Sequence, residues 1–173
     1  CTACMCLIPS NAIVDDSIVV ARNCISNLTM EHHGAIPEQY RHAMGNRIYG
    51  CDDCQLVCPY NREAPLTQEV DFFARAPLHG NSLQTLFGWT EIEFLKHTEG
   101  SAIRRIGFAK WQRNLTVAIG NAPYNEQLKQ HLRDKIEYLE SAEAPDYAAY
   151  GFNIPPQPEE HAMLQEHLEW ALT

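Results

Sequence analysis

The segment Cys51-Asp-Asp-Cys54-Gln-Leu-Val-Cys58-Pro59 is the stretch on which the fold of this chain turns. Two thiols three residues apart can grip one corner of a metal group. The third stands directly before proline, where the backbone is confined to extended conformations, so its side chain is carried away from the first two. One short stretch therefore addresses two metal groups. The other cysteines stand at 1, 4, 6 and 24, and none follows Cys58. Disulfides would be spread so as to staple the whole fold, so thiols gathered at one end read as metal ligands.

The spacing C-x2-C-x3-C-P is that of the last three cysteines and the proline of the bacterial ferredoxin run C-x2-C-x2-C-x3-C-P. The opening segment, Cys1-Thr-Ala-Cys4-Met-Cys6-Leu-Ile8-Pro9, fits the same frame if one more cysteine stands three residues before Cys1. Its pre-proline position is Ile8, where the frame wants cysteine. Two cubanes need eight thiolates, and the count closes only if Cys6 stands in for Ile8. Cys6 as a ligand and Cys6 as a merely buried thiol both stay open. Zinc is the competing metal, because C-x2-C pairs also build zinc ribbons, but a C-P ending after an x3 spacer is not a zinc-ribbon feature.

Composition bounds the rest. The chain has 173 residues, 45% of them apolar, and a formal charge of −9. That is enough for a small metal-bound module plus a helical unit. No run of eighteen apolar residues or signal-peptide pattern occurs, so a soluble, cytoplasmic protein with no membrane partner is expected. Opening on a cysteine inside a metal motif, the chain is expected to be a fragment with fold-bearing residues before it. The acidic charge sits mostly after residue 123, whereas residues 101 to 113 carry Arg104, Arg105, Lys110 and Arg113 and no acid. Net acidity argues against non-specific nucleic-acid binding, yet a local cluster of cations can meet phosphates at a defined place.

Along the chain, Ile18-Val-Val-Ala reads as a short strand after Asp15-Asp16, and Pro37 starts a short helix that ends at Gly45-Asn46. From about residue 81 the pattern is helical throughout. Ile103, Ile106, Trp111, Leu115, Ala118 and Ile119 keep helical spacing, as do Leu128, Leu132, Ile136 and Leu139. This places the basic cluster on one long helix, with Trp111 facing the core rather than stacking on a base. Gly120-Asn121-Ala-Pro123 is the stop signal between the two helices. Residues 147 to 158 read as a loop before a last helix at about 159 to 172. Adjacent His32 and His33 point to opposite sides of an extended segment and do not share a metal.

The stretches Arg22-Asn-Cys24 to Pro37, Met44-Gly-Asn-Arg-Ile-Tyr-Gly-Cys to Pro59, Thr98-Glu-Gly-Ser-Ala-Ile-Arg-Arg-Ile-Gly-Phe108 and Trp111-Gln-Arg-Asn to Asn121 resemble epoxyqueuosine reductases, a match running from residue 1 to about 140. The resemblance implies an α+β, mainly α fold: a ferredoxin-like double [4Fe-4S] module at 1–66, truncated at its N-terminus, followed by a HEAT-like helical domain at 67–173. It implies an oxidoreductase that reduces the epoxide of epoxyqueuosine at the tRNA wobble position, with clusters relaying electrons from an unidentified donor to cobalamin. Cys1, Cys4 and Cys58 would hold one cluster and Cys24, Cys51 and Cys54 the other, with Cys6 the candidate substitute at the Ile8 corner. Ser26, His33, Asp52 and Asp53 are the implied contacts to cobalamin or tRNA. Arg104, Arg105 and Lys110 are the implied phosphate contacts. The family's N-terminal cobalamin domain, with its proton-donating acid, is not in this sequence, so no catalytic residue is assigned and the chain alone is expected to be inactive. A plain electron-transfer ferredoxin and an iron–sulfur tRNA-binding module are the alternative readings.

Overall fold

The computed structural model describes residues 1–74, 78–141 and 144–173. The first part is short elements strung between cysteines: helix α1 (Ala3–Leu7), strands β1 (Ile13–Asp15) and β2 (Ile18–Val19), then α2 (Ile25–Met30), α3 (Glu38–Met44) and α4 (Asp53–Leu56). The expected single strand is half of an antiparallel hairpin. Ser17, at φ 62°, closes the turn, and the Asp15-Asp16 pair before it lies on the same hairpin. Helix α3 begins after Pro37 and ends at Gly45, as the proline and glycine dictate.

The second part is helical, with α5 (Leu83–Phe87), α6 (Glu91–His97), α7 (Gly107–Gly120), α8 (Glu126–Leu139), α9 (Tyr147–Tyr150) and α10 (Pro158–Leu172). Helix α6 opens with a reciprocal cap in which Thr90 accepts from the Glu93 amide and Glu93 accepts from the Thr90 amide, so two unpaired donors are satisfied at once. Two expectations are corrected here. Arg104 and Arg105 lie on a 3-10 turn (Ala102–Ile106) rather than on one long helix with Lys110, because Gly107, at φ 76°, breaks the path between them. The segment after residue 147 contains α9, which Asp146 caps through the Ala149 amide.

Helix α7 is the axis of the molecule. Every residue from Phe108 to Ile119 except Lys110 is buried, so this helix has no solvent stripe and is wrapped on all sides, with α10, α5, α3 and α6 against it. Trp111 stacks on Trp89 at 5.7 Å between ring centres, and Phe94 meets Trp111 at 5.5 Å, so Trp111 is a core residue. The close approach of α7 and α10 needs Gly120, where a Cβ would lie 2.5 Å from the Trp170 ring. Helix α8 also carries a buried lysine. Lys135 donates to the Tyr150 carbonyl at 2.8 Å beneath the Tyr150 and Phe87 rings, and burial pushes its ammonium down to about 7. Among the described residues no helix is long and apolar enough to cross a membrane.

The two parts are joined by a polar seam that runs beside an apolar contact of Ile25, Ile36 and Met44 with Val117 of α7. From α7, the fully buried Arg113 donates to the carbonyls of Leu28, His32 and Gly34 at 2.8 to 3.0 Å. Asn114 donates to the Thr29 and Ile48 carbonyls, and Asn121 to those of Arg41 and Gly45. From α10, His167 accepts the Ile36 amide at Nε2 while its Nδ1 faces the Met163 carbonyl, which fixes a neutral imidazole protonated at Nδ1. Arg41 completes the seam, donating to the Ile36 carbonyl and pairing with Glu166.

Candidate metal centre

The two cysteine frames have the same backbone. Thr2 and Asp52, which precede α1 and α4, sit at φ −113°, ψ 11° and φ −111°, ψ 12°. Ile8 and Cys58, each before proline, sit at φ −72°, ψ 132° and φ −72°, ψ 121°. Cys1 thus corresponds to Cys51, Cys4 to Cys54, and Ile8 to Cys58. Helices α1 and α4 pack against each other, which sets the frames face to face in the manner that crossed ligation requires.

Three cysteines from two segments meet in one place. Cys24, which caps α2, and Cys51 and Cys54, which flank the start of α4, line an apolar cavity of about 90 Å³ together with Ile8, Pro9, Ile13 and Val19. Burial raises the Cys51 thiol above its ordinary range. The Asp53 amide and Arg47 pull the other way, while Asp53 and Cys24 add to the rise. A bare thiolate is disfavoured at Cys51, which suits a group that brings its own positive charge and displaces the thiol's proton. All seven cysteines are free thiols. Among the described residues no three His, Cys, Asp or Glu side chains converge where a single ion would sit. Tetrahedral zinc needs sulfurs about 3.8 Å apart, whereas a cubane takes its ligands at separate corners. The donor set therefore fits an iron–sulfur cluster better than one zinc ion.

One hydroxyl sets the distance between the two ligand-bearing segments. Thr29, fully buried, donates to the carbonyl of Ile25, the residue after Cys24, and accepts from the amide of Gly50, the residue before Cys51. Asn114 holds both sides of this bridge from α7, through the carbonyls of Thr29 and Ile48. Neither Thr29 nor Asn114 stands out in the sequence. The signal that points to Asn114 is a polar run, Gln112-Arg113-Asn114, in the middle of a helix whose other positions are mostly apolar.

Cys6 lies elsewhere. It is exposed on α1, and two residues along a helix is a rotation of about 200°, so the side chain at position 8 enters the cavity while that at position 6 does not. Asp53 is held by Arg47 through oxygens at 2.7 to 3.2 Å, and Asp52 is exposed beside it. Ser26 is half-buried on α2. His33 is exposed and lines a cavity of about 220 Å³ with Lys110, Glu159 and Glu160. Arg104 is exposed, and Arg105 pairs at 2.7 Å with Glu31 at the end of α2. Arg105 thus stands at the end of α2, Lys110 and His33 line one cavity, and Arg104 is exposed on the same turn as Arg105. Arg113, the fourth cation of that sequence cluster, is a core residue, and burial pushes its guanidinium down to about 10.

Comparison with known proteins agrees with this arrangement. Residues 1–61 match the family model described as a 4Fe-4S double cluster binding domain. The chain is 51% identical over 172 residues to the epoxyqueuosine reductase of Escherichia coli, covering 99% of this chain and 40% of that protein. It is 56% identical over 136 residues to that of Aliivibrio fischeri, covering 79% of this chain and 37% of the relative. Among solved structures, epoxyqueuosine reductase from Bacillus subtilis superposes with a TM-score of 0.72 at 24% identity, over 99% of this chain and 49% of that one. An epoxyqueuosine reductase crystallised with an epoxyqueuosine-modified tRNA-Tyr stem loop gives 0.66 at 24%, over 98% and 50%. The chain spans about two fifths of the length of the curated relatives it matches. Over nearly its whole length the chain is similar to part of the epoxyqueuosine reductases, and its first 61 residues match a double iron–sulfur cluster domain.

Proposed function

We propose that this chain is the electron-relaying and tRNA-facing segment of an epoxyqueuosine reductase, which reduces epoxyqueuosine to queuosine at the wobble position of tRNA. The observation that carries the reading is identity of about half over nearly the whole chain to reductases of that name, together with thiols gathered as a double-cluster domain demands. Removing an epoxide oxygen as water takes two electrons and two protons, and two one-electron centres match that demand. Bound cobalamin supplies the bond-breaking chemistry at the epoxide.

This chain's own residues hold and insulate the relay. Cys1, Cys4 and Cys58 take one cluster, and Cys24, Cys51 and Cys54 the other, inside the apolar cavity. Ser26, Asp52 and Asp53, which neighbour the ligand cysteines in sequence, and His33, beside Lys110, serve as contacts for cobalamin or tRNA, with Asp53 oriented by Arg47. Arg104, Arg105 and Lys110 meet phosphates beside them. Residues 1–66 form the cluster module and 67–173 the helical domain that braces it, and the protein works in the cytoplasm with an electron donor still to be identified.

The test is anaerobic turnover of epoxyqueuosine-containing tRNA by the full-length protein with cobalamin and a one-electron reductant. Turnover is expected, with complete loss in Cys54→Ala. Full cluster content with no turnover would return the chain to the plain electron-transfer reading. Arg104→Ala with Arg105→Ala is expected to leave clusters intact and to lower the salt slope of tRNA binding by about 0.7 to 0.9 for each phosphate left without its arginine. An unchanged slope would leave both arginines as solvated surface.

A further inference from the structure

We infer that the cluster held by Cys24, Cys51 and Cys54 has three protein thiolates and no fourth, and that its remaining iron corner is exchangeable and takes a small exogenous oxygen or sulfur donor. The inference rests on the double-cluster reading above and deepens it.

Three observations carry it. Ile8 has the backbone of Cys58 to within about 11° in ψ and the same φ, so the position that presents a thiolate in one frame presents a branched alkyl group in the other. Ile8 is buried in the same cavity as the three cysteines, so it fills the ligand corner rather than turning out of it. Cys6, the one thiol near enough in sequence to replace it, is exposed on α1, and its amide is tied to the Thr2 carbonyl at 3.1 Å inside that helix. Bringing Cys6 into the cavity requires unwinding α1 and expelling Ile8, a buried side chain, into water.

The cavity decides what reaches the open corner. Besides the cysteines its wall is apolar, and among the described residues Ser10 is the one hydroxyl-bearing side chain that lines it. Such a wall gives a charged organic ligand nothing to pair with, while water, hydroxide or a small thiol needs only the iron and one hydrogen-bond partner. Three-thiolate ligation also predicts a specific reaction with a one-electron oxidant. A [4Fe-4S]2+ cluster gives up one electron to ferricyanide and releases one Fe2+, leaving a [3Fe-4S]+ cluster. Its three irons each retain a cysteine.

The experiment is a ferricyanide titration of the anaerobically purified full-length protein, followed by electron paramagnetic resonance and by a chelator assay for released iron. Cys24→Ser and Cys58→Ser variants assign the signals to the two clusters. One Fe2+ per chain is expected to leave, the [3Fe-4S]+ signal is expected to belong to the Cys24 cluster, and Fe2+ with dithionite is expected to restore the starting state. Cys6→Ser is expected to change none of this, and Ile8→Cys to abolish the release. Loss of the Cys24 cluster in Cys6→Ser, or no one-iron release from the unsubstituted protein, would overturn the inference. If Ile8→Cys does not accumulate, Cys6→Ser and the unsubstituted protein still decide it. An unsubstituted protein without iron and sulfide would instead overturn the double-cluster reading, and this inference with it.

Discussion

The cysteine module and the helical part are held together by different physics. Between Phe87 and Ala171 the chain buries large side chains to completion, among them Phe87, Phe94, Leu115, Leu132, Leu164 and Leu168. Between Cys51 and Ala74 not one residue is buried, and Leu56, Tyr60, Leu66 and Phe72 are all more than three-quarters exposed, Leu66 almost bare at 96%. The helical part meets the ordinary requirement of a core. The stretch from Cys51 to Ala74 does not, although Ile25, Leu28, Ile36 and Met44 earlier in the module are buried, and a segment of that kind takes its stability from bound metal, because the metal site exists only in the folded state. The seam of Arg113, Asn114, Asn121 and His167 lets the self-sufficient part hold the dependent one in register.

The largest effect that separates the two regions is removal of the clusters. Chelation under oxygen is expected to make residues 1–61 susceptible to protease while a fragment from about residue 80 to 173 survives with its helical circular dichroism. Simultaneous loss of both regions would mean that the molecule is one cooperative unit and the contrast is wrong.

Next in size is the seam itself. Arg113→Ala removes the donor from the buried Leu28 carbonyl and from the part-buried His32 and Gly34 carbonyls, so destabilisation by about 3 kcal/mol is expected in denaturant titration, with the cysteine module released first. A change below about 0.5 kcal/mol would show that water replaces the guanidinium and that the seam holds nothing.

A pH-dependent effect comes from His167, which burial pushes down to about 3, the Met163 carbonyl opposing it. The folded state refuses a proton that the unfolded chain takes up below about 6.5. Stability is therefore present above pH 6.5 and is lost as pH falls toward 3, by up to about 1.4 kcal/mol per pH unit from this group alone. His167→Gln is expected to flatten that part of the pH profile, and an unchanged profile would show that other groups carry the acid sensitivity.

The sequence was most legible where one residue type has one use. The cysteine frame announced the double-cluster domain, apolar periodicity announced α7, α8 and α10, and Pro37 with Gly45 bounded α3. It was least legible where a residue's role depends on what the fold brings to it. Arg113 looks like its neighbours Arg104 and Arg105, yet only burial on a helix wrapped from every side turns it from a surface cation into a clasp for three carbonyls. Thr29 and Asn114 are ordinary residues whose importance comes from Gly50 and Ile48 lying across from them. The break between Arg105 and Lys110 is a single glycine with positive φ inside an apolar pattern that otherwise reads as continuous. The frame alone could not tell the reach of Cys6 from that of Ile8, and it is the fold that brings Ile8 into the cavity with Cys24, Cys51 and Cys54.

We propose that the first 61 residues hold two iron–sulfur clusters with crossed ligands. The most direct measurement is iron and acid-labile sulfide analysis with Mössbauer spectroscopy of the full-length protein purified without oxygen, set beside its Cys24→Ser and Cys58→Ser variants. About eight irons and eight sulfides in two distinguishable clusters are expected. Cys24→Ser should perturb the cluster shared with Cys51 and Cys54, and Cys58→Ser the one shared with Cys1 and Cys4. One zinc without sulfide would contradict the assignment, and so would perturbation of the same cluster by both substitutions.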